Sequence, residues 1–345
     1  MLPKRLKKSV SKTIVSTMVL LMFCLISHET GAQNAMSREH LPAKQLVSES
    51  RLFHQISFLS DTLCNGRGFG TRGGIEAAFW LERQFRRIGL LKLGESYSKK
   101  IFDDNGKVGR NMMGMLPGSK CTGRDKYIIV GAHYDHLGKI GDNVFPGADA
   151  NASGVVAMLN LAEMLSALKD SDKTHSQNII FIAFDGKEQN MLGSTTFWKM
   201  IQNGELKDPQ TGKTITKDKI TLMVNIDQIG SILSPLKSGR KDYLIMLGTS
   251  SLESSKRGLL KKCNTQYATD LEIDLTYYGS ANFTKTFYKL SDQRIFIENG
   301  IPAVLFTSGI TMNTYKTWDT AETLDMAILK KRIFLIYHWI DHMIR

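Results

Sequence analysis

Cysteine is scarce in this chain, and no two cysteines are spaced as a C-x-x-C pair. The 345 residues include four cysteines. Without such a pair, the zinc-ribbon and thioredoxin-like classes are excluded. Three of the four, Cys64, Cys121 and Cys263, lie beyond the N-terminal segment discussed below. In an oxidising compartment one disulfide can form among them and leave an odd thiol, but the sequence does not say which pair forms.

The chain also lacks a concentrated basic patch, although it is strongly basic overall. Its formal net charge is +12 at pH 7. The basic residues are scattered in short pairs such as Lys99-Lys100 and Lys261-Lys262, without interleaved aromatic residues. Nucleic-acid-binding surfaces gather their basic residues on one face. We therefore expect a solvated basic surface and no nucleic-acid partner.

The N-terminal segment is typical of a secretory signal peptide. Residues 1–12 carry five basic side chains, residues 13–26 are apolar, and the small pair Gly31-Ala32 follows. The apolar part is short for a membrane-spanning helix. We predict that residues 1–32 are cleaved, that the protein is secreted or periplasmic, and that no stable membrane span remains. An uncleaved N-terminal membrane anchor is the alternative. Cleavage removes five basic residues and one acid, so the net charge falls from +12 to +8.

Residues 33–345 contain no internal repeat, low-complexity tract or long linker, and we predict that they form a single domain. Short apolar runs typical of buried strands alternate with segments whose apolar spacing is helical. The strand candidates are 126–132, 178–182, 219–227, 243–247 and 303–306, and the helix candidates are 48–63, 75–88, 155–168 and 321–344. This alternation predicts an α/β fold with a largely parallel sheet sandwiched between helices.

One glycine-rich segment imitates a dinucleotide-binding motif. Residues 68–73, GFGTRG, match G-x-G-x-x-G and precede a helix candidate. A dinucleotide site requires this loop directly after a buried strand, so that the pyrophosphate meets the helix N-terminus. Here a helical stretch comes before the loop, and we predict no nucleotide site.

Polar residues follow the ends of four predicted strands. His133 and Asp135 follow the first, Lys187 and Glu188 the second, Asp227 ends the third, and the loop 315–320 follows the fourth. Ligands bind at the carboxyl edge of the sheet in α/β proteins. A histidine with an acid two residues on is typical of a metal ligand and the carboxylate that orients it. We therefore predict a functional site at this edge.

Several ordered motifs support a more specific interpretation. They are GR at 66–67, NMMGMLPG at 111–118, GAHYDH at 131–136, GADANASG at 147–154, SD at 291–292, GIP at 300–302 and DT at 319–320. Together they resemble the M28 zinc aminopeptidases over most of the chain. The resemblance implies a mixed, mainly parallel sheet between helical layers. For the family as a whole, it implies a zinc-dependent metalloexopeptidase activity that removes N-terminal residues from peptides.

The family chemistry needs two zinc ions. Each ion takes a histidine and a terminal carboxylate, an aspartate bridges the pair, and a glutamate accepts a proton from the shared water. Carried over by position, the resemblance implies that His133 is a zinc ligand oriented by Asp135. It likewise implies that Glu188 and Asp227 are the terminal carboxylate ligands.

Three further family positions hold residues that do not serve in such a centre. Ala150 replaces the bridging aspartate, Lys187 the base glutamate and Lys316 the second histidine. Adjacent acids keep Lys187 protonated, so it cannot act as the base. The two lysines can replace the zinc charge, because the two surviving carboxylates would otherwise be buried without compensation. We expect ammonium–carboxylate distances of about 3 Å.

The sequence therefore favours an M28-type pseudoenzyme that has lost the two-zinc centre and acts in binding or scaffolding. Its partner would be a peptide, an amino-acid-like ligand or another protein. We expect no cofactor, or at most one weakly bound zinc ion. The alternative is an active aminopeptidase with an altered or single-zinc site. In that case Asp149, one residue before the bridging position, is the candidate rescue ligand.

Overall fold

The computed structural model describes residues 41–118, 125–170, 175–233, 236–277 and 279–345. The predicted signal segment, the predicted domain boundary at residue 33 and Cys121 lie outside these residues. Cys64 and Cys263 are both buried free thiols. Of the possible disulfides, the pair between these two cysteines is therefore not formed.

A nine-stranded sheet forms the centre of the fold. The strands in chain order are β1 (Leu91–Lys92), β2 (Ser98–Phe102), β3 (Val108–Leu116), β4 (Tyr127–His133), β5 (Gly138–Ile140), β6 (Asn143–Phe145), β7 (Asn178–Phe184), β8 (Ile220–Ile226), β9 (Tyr243–Leu247), β10 (Glu272–Asp274) and β11 (Ala303–Thr307). The sheet order is β1-β3-β7-β4-β8-β11-β9-β10, with β2 also paired to β3, and β5 and β6 form a separate two-stranded sheet.

The four central strands are parallel, whereas the flanking pairs are largely antiparallel. β7, β4, β8 and β11 lie side by side in parallel. β3 pairs antiparallel with β7, and β9 pairs antiparallel with β11. β4 and β7 are buried along their whole length, which explains their continuous apolar sequences. The predicted α/β class with a mixed, mainly parallel sheet is confirmed, and four strand ends meet at one edge.

Helices flank this sheet. They are α1 (Leu41–Gln45), α2 (Glu49–Ser60), α3 (Arg72–Ile88), α4 (Gly154–Asp170), α5 (Leu192–Gln202), α6 (Leu259–Gln266), α7 (Ala281–Phe287), α8 (Arg294–Glu298) and α9 (Met326–Ile344). An irregular turn, Ala148–Ser153, precedes α4, and Ala150 and Asn151 within it have non-helical backbone angles. The predicted helix over 321–344 is two elements, because Asp325 caps the start of α9 by accepting a hydrogen bond from the Ile328 N–H.

Alternate residues of the central strands face two different helical layers. Ile128 and Val130 belong to the larger apolar cluster, which includes residues of α2, α3, α4 and α9. Ile129 belongs to a second cluster with Phe197 of α5 and Phe296 of α8. Successive side chains of a strand point to opposite faces, so the sheet is sandwiched as the sequence predicts.

The glycine-rich loop serves local packing. It follows α2 and a 3₁₀ turn rather than a strand. A Cβ on Gly73 would lie 1.9 Å from the Cys64 carbonyl oxygen, and one on Gly74 would lie 2.7 Å from the Gly68 oxygen. The start of α3 therefore approaches the preceding backbone closely, which only glycine permits.

Among the described residues, one segment is long and apolar enough to span a membrane by composition. It is Ala148–Leu168, with a mean hydropathy of 1.2. Of its most apolar window, 83% is buried inside the fold. The segment corresponds to the irregular turn Ala148–Ser153 and most of α4, whose apolar side chains belong to the larger core cluster.

Candidate functional site

Two of the predicted site residues, Lys187 and Asp227, line a cavity of about 250 Å³. Its lining residues are Lys187, Asp227, Gln228, Leu247, Tyr277, Phe287, Leu290, Ser291, Leu305, Thr307, Ile310, Thr314 and Tyr315. Charged groups therefore occupy one part of the wall, and apolar and uncharged polar side chains form the rest.

Asp227 follows β8 and is the centre of a buried charged cluster. Its Oδ1 lies 3.3 Å from Nε2 of His133, and its Oδ2 accepts a hydrogen bond from the Ser291 hydroxyl at 2.5 Å. The Lys187 ammonium lies 3.7 Å from the same Oδ2. Burial opposes ionisation, but Lys187 and His133 outweigh it and hold the pKa of Asp227 well below its usual range. The carboxylate therefore stays ionised.

Lys187 lies in the loop after β7, and its side chain is only 11% exposed. Burial lowers the pKa of Lys187, but the Asp227 carboxylate and further neighbours raise it above its ordinary value. The side chain therefore stays a cation and cannot accept a proton. The distance to Asp227, 3.7 Å, is longer than the predicted value of about 3 Å. The contact is an ion pair without a hydrogen bond.

Asp135 contacts His133 differently from the sequence expectation. Nδ1 of His133 lies 3.0 Å from the backbone carbonyl of Asp135 and 3.8 Å from its carboxylate. The carboxylate accepts hydrogen bonds from the backbone N–H groups of Lys187, at 3.0 Å, and Glu188, at 3.3 Å. Burial raises the pKa of Asp135 to about 6. Asp135 thus orients His133 through its main chain and anchors the loop after β7 through its side chain.

His133 supplies a second source of positive charge beside Asp227. The side chain is 2% exposed at the end of β4. Burial alone lowers the pKa of His133, but the carboxylates of Asp227 and Asp135 turn the net shift upward. Protonation of the ring therefore adds a positive charge to the cluster as the pH falls.

Lys316 does not join this cluster. Its side chain is exposed, and its backbone N–H donates to the Asn313 carbonyl at 3.1 Å in a local turn. The preceding residue, Tyr315, has a φ of 60°. The expectation that both lysines replace the zinc charge is therefore corrected: the buried ammonium is that of Lys187, because the turn leaves Lys316 in solvent.

The loop at the bridging position has its own hydrogen bonds. The Asp149 carboxylate accepts from the Gly230 N–H at 2.7 Å and the Ser153 hydroxyl at 3.1 Å. The backbone N–H groups of Asp149 and Ala150 donate to the Asp319 carboxylate at 2.9 and 3.1 Å. Movement of Asp149 toward Asp227 would break these bonds. Burial, followed by the nearby Asp319, raises the pKa of Asp149 to about 7.

Arg67 holds the same loop from the other side. Its guanidinium is fully buried. It donates to the carbonyls of Tyr134 at 2.8 Å, Pro146 at 2.7 Å and Gly147 at 2.8 Å, and also to that of Leu59. One side chain thus donates to four main-chain carbonyls, of which that of Gly147 also accepts from the Ala152 N–H. The loop conformation therefore depends on main-chain acceptors.

Glu188 lies apart from the Asp227 cluster, beside Tyr315. The Tyr315 hydroxyl donates to Glu188 Oε1 at 3.1 Å. The Tyr315 ring stacks on His136, with centroids 5.6 Å apart and an interplanar angle of 13°. His136 is buried, and neither ring nitrogen has a hydrogen-bond partner among the described residues. Burial lowers the pKa of His136 well below its ordinary value, so the ring is neutral.

Three residues that contribute contacts to the candidate site are not singled out by the sequence interpretation: Ser291, Tyr315 and His136. All three lie inside or next to segments that carry the family resemblance. The position of these residues in or near the family motifs therefore indicated that they would lie near the site. It gave no indication that Ser291 would bind Asp227 or that Tyr315 would stack on His136, because those contacts depend on loop geometry.

The residues present do not fit a two-zinc centre. The bridging position carries the methyl group of Ala150, whose residue is 2% exposed, and a methyl group offers no donor atom. The Lys187 ammonium lies against the carboxylate that would hold a cation. In the described part of the chain, no three histidine, cysteine, aspartate or glutamate side chains are grouped to hold a metal ion. A catalytic zinc site takes three protein ligands.

Comparison with known families finds a match to the model for "Peptidase family M28" over residues 111–339. The chain is 29% identical over 288 residues to a probable leucine aminopeptidase of Trichophyton verrucosum, a match that spans 81% of this chain and 68% of that protein. It is 29% identical over 146 residues to the BOS complex subunit ncln of Danio rerio, a match that spans 39% of this chain and 24% of that protein.

A solved structure shares the fold. It is the zinc aminopeptidase BSAP from Bacillus subtilis, with a TM-score of 0.64 and 14% sequence identity. The alignment covers 86% of this chain and 95% of that one. At this level of identity the likeness concerns the architecture, a mainly parallel sheet between helices.

Proposed function

Because this chain belongs to peptidase family M28, we propose that it is a secreted member without the two-zinc hydrolytic centre. It acts by binding a peptide, an amino-acid-like ligand or a partner protein. The observation that carries this proposal is the Lys187 ammonium, which lies 3.7 Å from the Asp227 carboxylate. The family resemblance matches Lys187 to the position of the base.

The charge at this position removes two functions at once. A permanently protonated amine cannot accept a proton from water, and the loss of a general base lowers a rate by about 10²–10⁴-fold. The same ammonium repels a divalent cation from Asp227. The cluster is instead held together internally by Lys187, His133 and Ser291 around one carboxylate.

A binding role for a partner protein is supported by one relative. A protein similar to residues of this chain is named as a subunit of the BOS complex. The match spans 39% of this chain, so a protein partner is one of the binding modes proposed. Secretion is supported by the basic, apolar and small-residue order of residues 1–32. N-terminal sequencing of protein exported by a host cell is expected to begin at residue 33.

The second candidate is an aminopeptidase with a single-zinc site. It is favoured by the pairing of His133 and Asp227, whose side chains lie 3.3 Å apart, together with the similarity to a probable leucine aminopeptidase over 81% of the chain. This function would require Lys187 to leave Asp227 before a metal ion could bind.

Metal analysis and an activity assay distinguish the two candidates. After purification in zinc-supplemented buffer and desalting, we expect less than one tightly bound zinc per chain. We also expect no chelator-sensitive release of nitroaniline from leucine p-nitroanilide. One zinc per chain, together with release that a chelator abolishes, would establish the aminopeptidase instead.

A reconstruction tests the positional assignments. The combined substitutions Ala150→Asp, Lys187→Glu and Lys316→His are expected to create tight zinc binding, with the exposed turn at residue 316 moving inward to bring the new imidazole to the metal. Metal analysis and calorimetry measure it. Lys316→His alone is the matched control and should bind none tightly. If the triple variant folds, as judged by circular dichroism, and still takes up no zinc, the assignment of these positions is wrong.

A further inference from the structure

The charged part of the cavity wall contains a cation with unused hydrogen-bond donors. An ammonium group carries three N–H donors. The Lys187 ammonium has one ion-pair partner among the described residues, the Asp227 carboxylate at 3.7 Å. That distance is beyond hydrogen-bonding range. A buried cation without strong acceptors favours a ligand that supplies them.

The Asp227 carboxylate, in contrast, is already satisfied. Oδ1 faces His133 at 3.3 Å and Oδ2 accepts from Ser291 at 2.5 Å. Lys187 lies against Oδ2 as well. A ligand ammonium would have to compete with these three groups, whereas a ligand acceptor at Lys187 would compete with none that hydrogen-bonds to it. The free donors of Lys187 therefore favour a ligand acceptor. A carboxylate gains more there than a neutral carbonyl, because charge-assisted hydrogen bonds are stronger, although the Asp227 carboxylate opposes it in part.

The rest of the cavity wall combines an apolar part with uncharged polar side chains such as Gln228, Thr307 and Thr314. Leu247 and Leu305 are buried, whereas Leu290 and Ile310 are 51% and 43% exposed and form part of the rim. Phe287 of α7 adds an aromatic side chain. The cavity volume of about 250 Å³ lies just below the range typical of drug-sized ligands. This space suits one large apolar side chain.

On the premise of the proposed function, that no metal ion occupies the site, we propose that the cavity binds a carboxylate carried next to a large apolar side chain. The carboxylate contacts the Lys187 ammonium, and the side chain packs against the leucine, isoleucine and phenylalanine wall. This chemistry is shared by the carboxyl-terminal residue of a peptide and by a free apolar amino acid. The recognised end is thus the carboxylate rather than the amino group.

Calorimetry with matched small molecules tests the charge preference on the unmodified protein. N-acetyl-leucine carries the carboxylate without an amino charge, and leucinamide carries the amino charge without a carboxylate. We expect N-acetyl-leucine to bind and leucinamide to bind at least about ten-fold more weakly, since a hydrogen bond to a charged group contributes about 1.5–3 kcal/mol. Equal or tighter binding of leucinamide, or no binding of N-acetyl-leucine, would overturn the proposal.

Variants assign the effect to one side chain. Lys187→Met should weaken N-acetyl-leucine binding by about ten-fold or more, and Lys187→Arg should retain most of it. Lys316→Met, which removes an exposed lysine from the nearby loop, is the matched control and should bind as the parent does. Unchanged binding by a folded Lys187→Met protein contradicts the proposal. If that variant fails to fold, the binding by Lys187→Arg and the comparison of N-acetyl-leucine with leucinamide still test the proposal.

Two further comparisons distinguish a peptide terminus from a free small molecule as the ligand, and test the premise that binding needs no metal ion. N-acetyl-alanyl-alanyl-leucine that binds more tightly than N-acetyl-leucine identifies a peptide terminus as the ligand, and equal affinity identifies a small molecule. N-acetyl-alanine should bind more weakly than N-acetyl-leucine, because it leaves the apolar wall unfilled. Each titration is repeated with a chelator. Binding that requires zinc would refute the proposed function, whereas metal-independent preference for leucinamide would refute only this inference.

Discussion

Two buried carboxyl groups, those of Asp227 and Asp149, contact the same segment after β8, but their pKa values are shifted in opposite directions. Asp227 begins that segment, and Asp149 accepts a hydrogen bond from Gly230 within it. Lys187 and His133 lower the pKa of Asp227 in spite of its burial. Burial and the neighbouring Asp319 raise the pKa of Asp149 to about 7. Two buried carboxyl groups therefore have pKa values shifted in opposite directions, and the presence of a contacting cation decides which.

This difference shows how unevenly the replaced positions compensate one another. At Asp227, Lys187 supplies a positive charge within ion-pair distance. Near Asp149, the bridging position carries Ala150, and Lys316 is exposed to solvent. One region therefore keeps an ionised carboxylate, while the other keeps its carboxyl group protonated below about pH 7.

The largest expected effect comes from removal of the buried cation. Lys187→Met leaves Asp227 with His133 and Ser291 alone, and breaking a buried ion pair from one side costs about 3–5 kcal/mol. We expect the free energy of unfolding, measured by urea denaturation at pH 7, to fall by that amount. A loss below about 0.5 kcal/mol would show that Lys187 does not compensate Asp227.

The second effect concerns Asp149 and depends on pH. Its folded-state pKa of about 7 lies above the ordinary value of 3.8, so the stabilisation is complete below about pH 4 and is lost as the pH rises toward 7. Asp149→Asn keeps an oxygen for the Gly230 and Ser153 donors and does not titrate. Relative to the parent, the variant should gain up to about 4 kcal/mol between pH 4 and pH 8.

Urea denaturation across this pH range measures the gain. Asp227→Asn is the matched comparison, and the pH dependence of its stability relative to the parent should have the opposite sign. A depressed pKa stabilises the parent above about pH 4, and this contribution is lost as the pH falls below that value. If both variants show the same pH dependence, the contrast between the two carboxylates is wrong.

A smaller effect is expected when both members of the ion pair are removed. The double variant Lys187→Met with Asp227→Asn leaves no unpaired charge at this position. Its free energy of unfolding should lie about 1–3 kcal/mol above that of Lys187→Met alone. Double-mutant-cycle analysis at pH 7 measures this coupling. Strictly additive losses would indicate that the two side chains do not interact.

The smallest effect is expected at the exposed lysine. Lys316→Met should change the free energy of unfolding by less than about 0.5 kcal/mol, as is usual for exposed positions. Thermal and urea denaturation measure it alongside Lys187→Met. A loss comparable with that of Lys187→Met would place Lys316 in the buried charge balance after all.

Much of the fold follows from local patterns in the sequence. Continuous apolar runs gave β4 and β7 because both strands are buried on both faces. β3 was recognised only as a motif, and α5 was not predicted. Their sequences mix small, polar and apolar residues, so periodicity alone gives a weak signal.

The candidate site was predictable in location but not in its contacts. Strand ends fixed where His133, Lys187 and Asp227 would meet. Chain spacing could not reveal that Lys316 turns outward, because that depends on the turn in which its N–H bonds to Asn313. Nor could it reveal that the Asp135 carboxylate binds two backbone N–H groups. Both are properties of loops, whose geometry is set by tertiary packing.

The way Arg67 supports the loop before α4 bears on how such a protein can change over time. Its guanidinium reaches only peptide carbonyls, and every amino acid supplies the same carbonyl. Side chains along that loop are therefore interchangeable as far as this support is concerned. A lineage can exchange those that make no contacts of their own, unlike Asp149 and Gly147, while its architecture persists, and a protein engineer can use the same freedom in reverse.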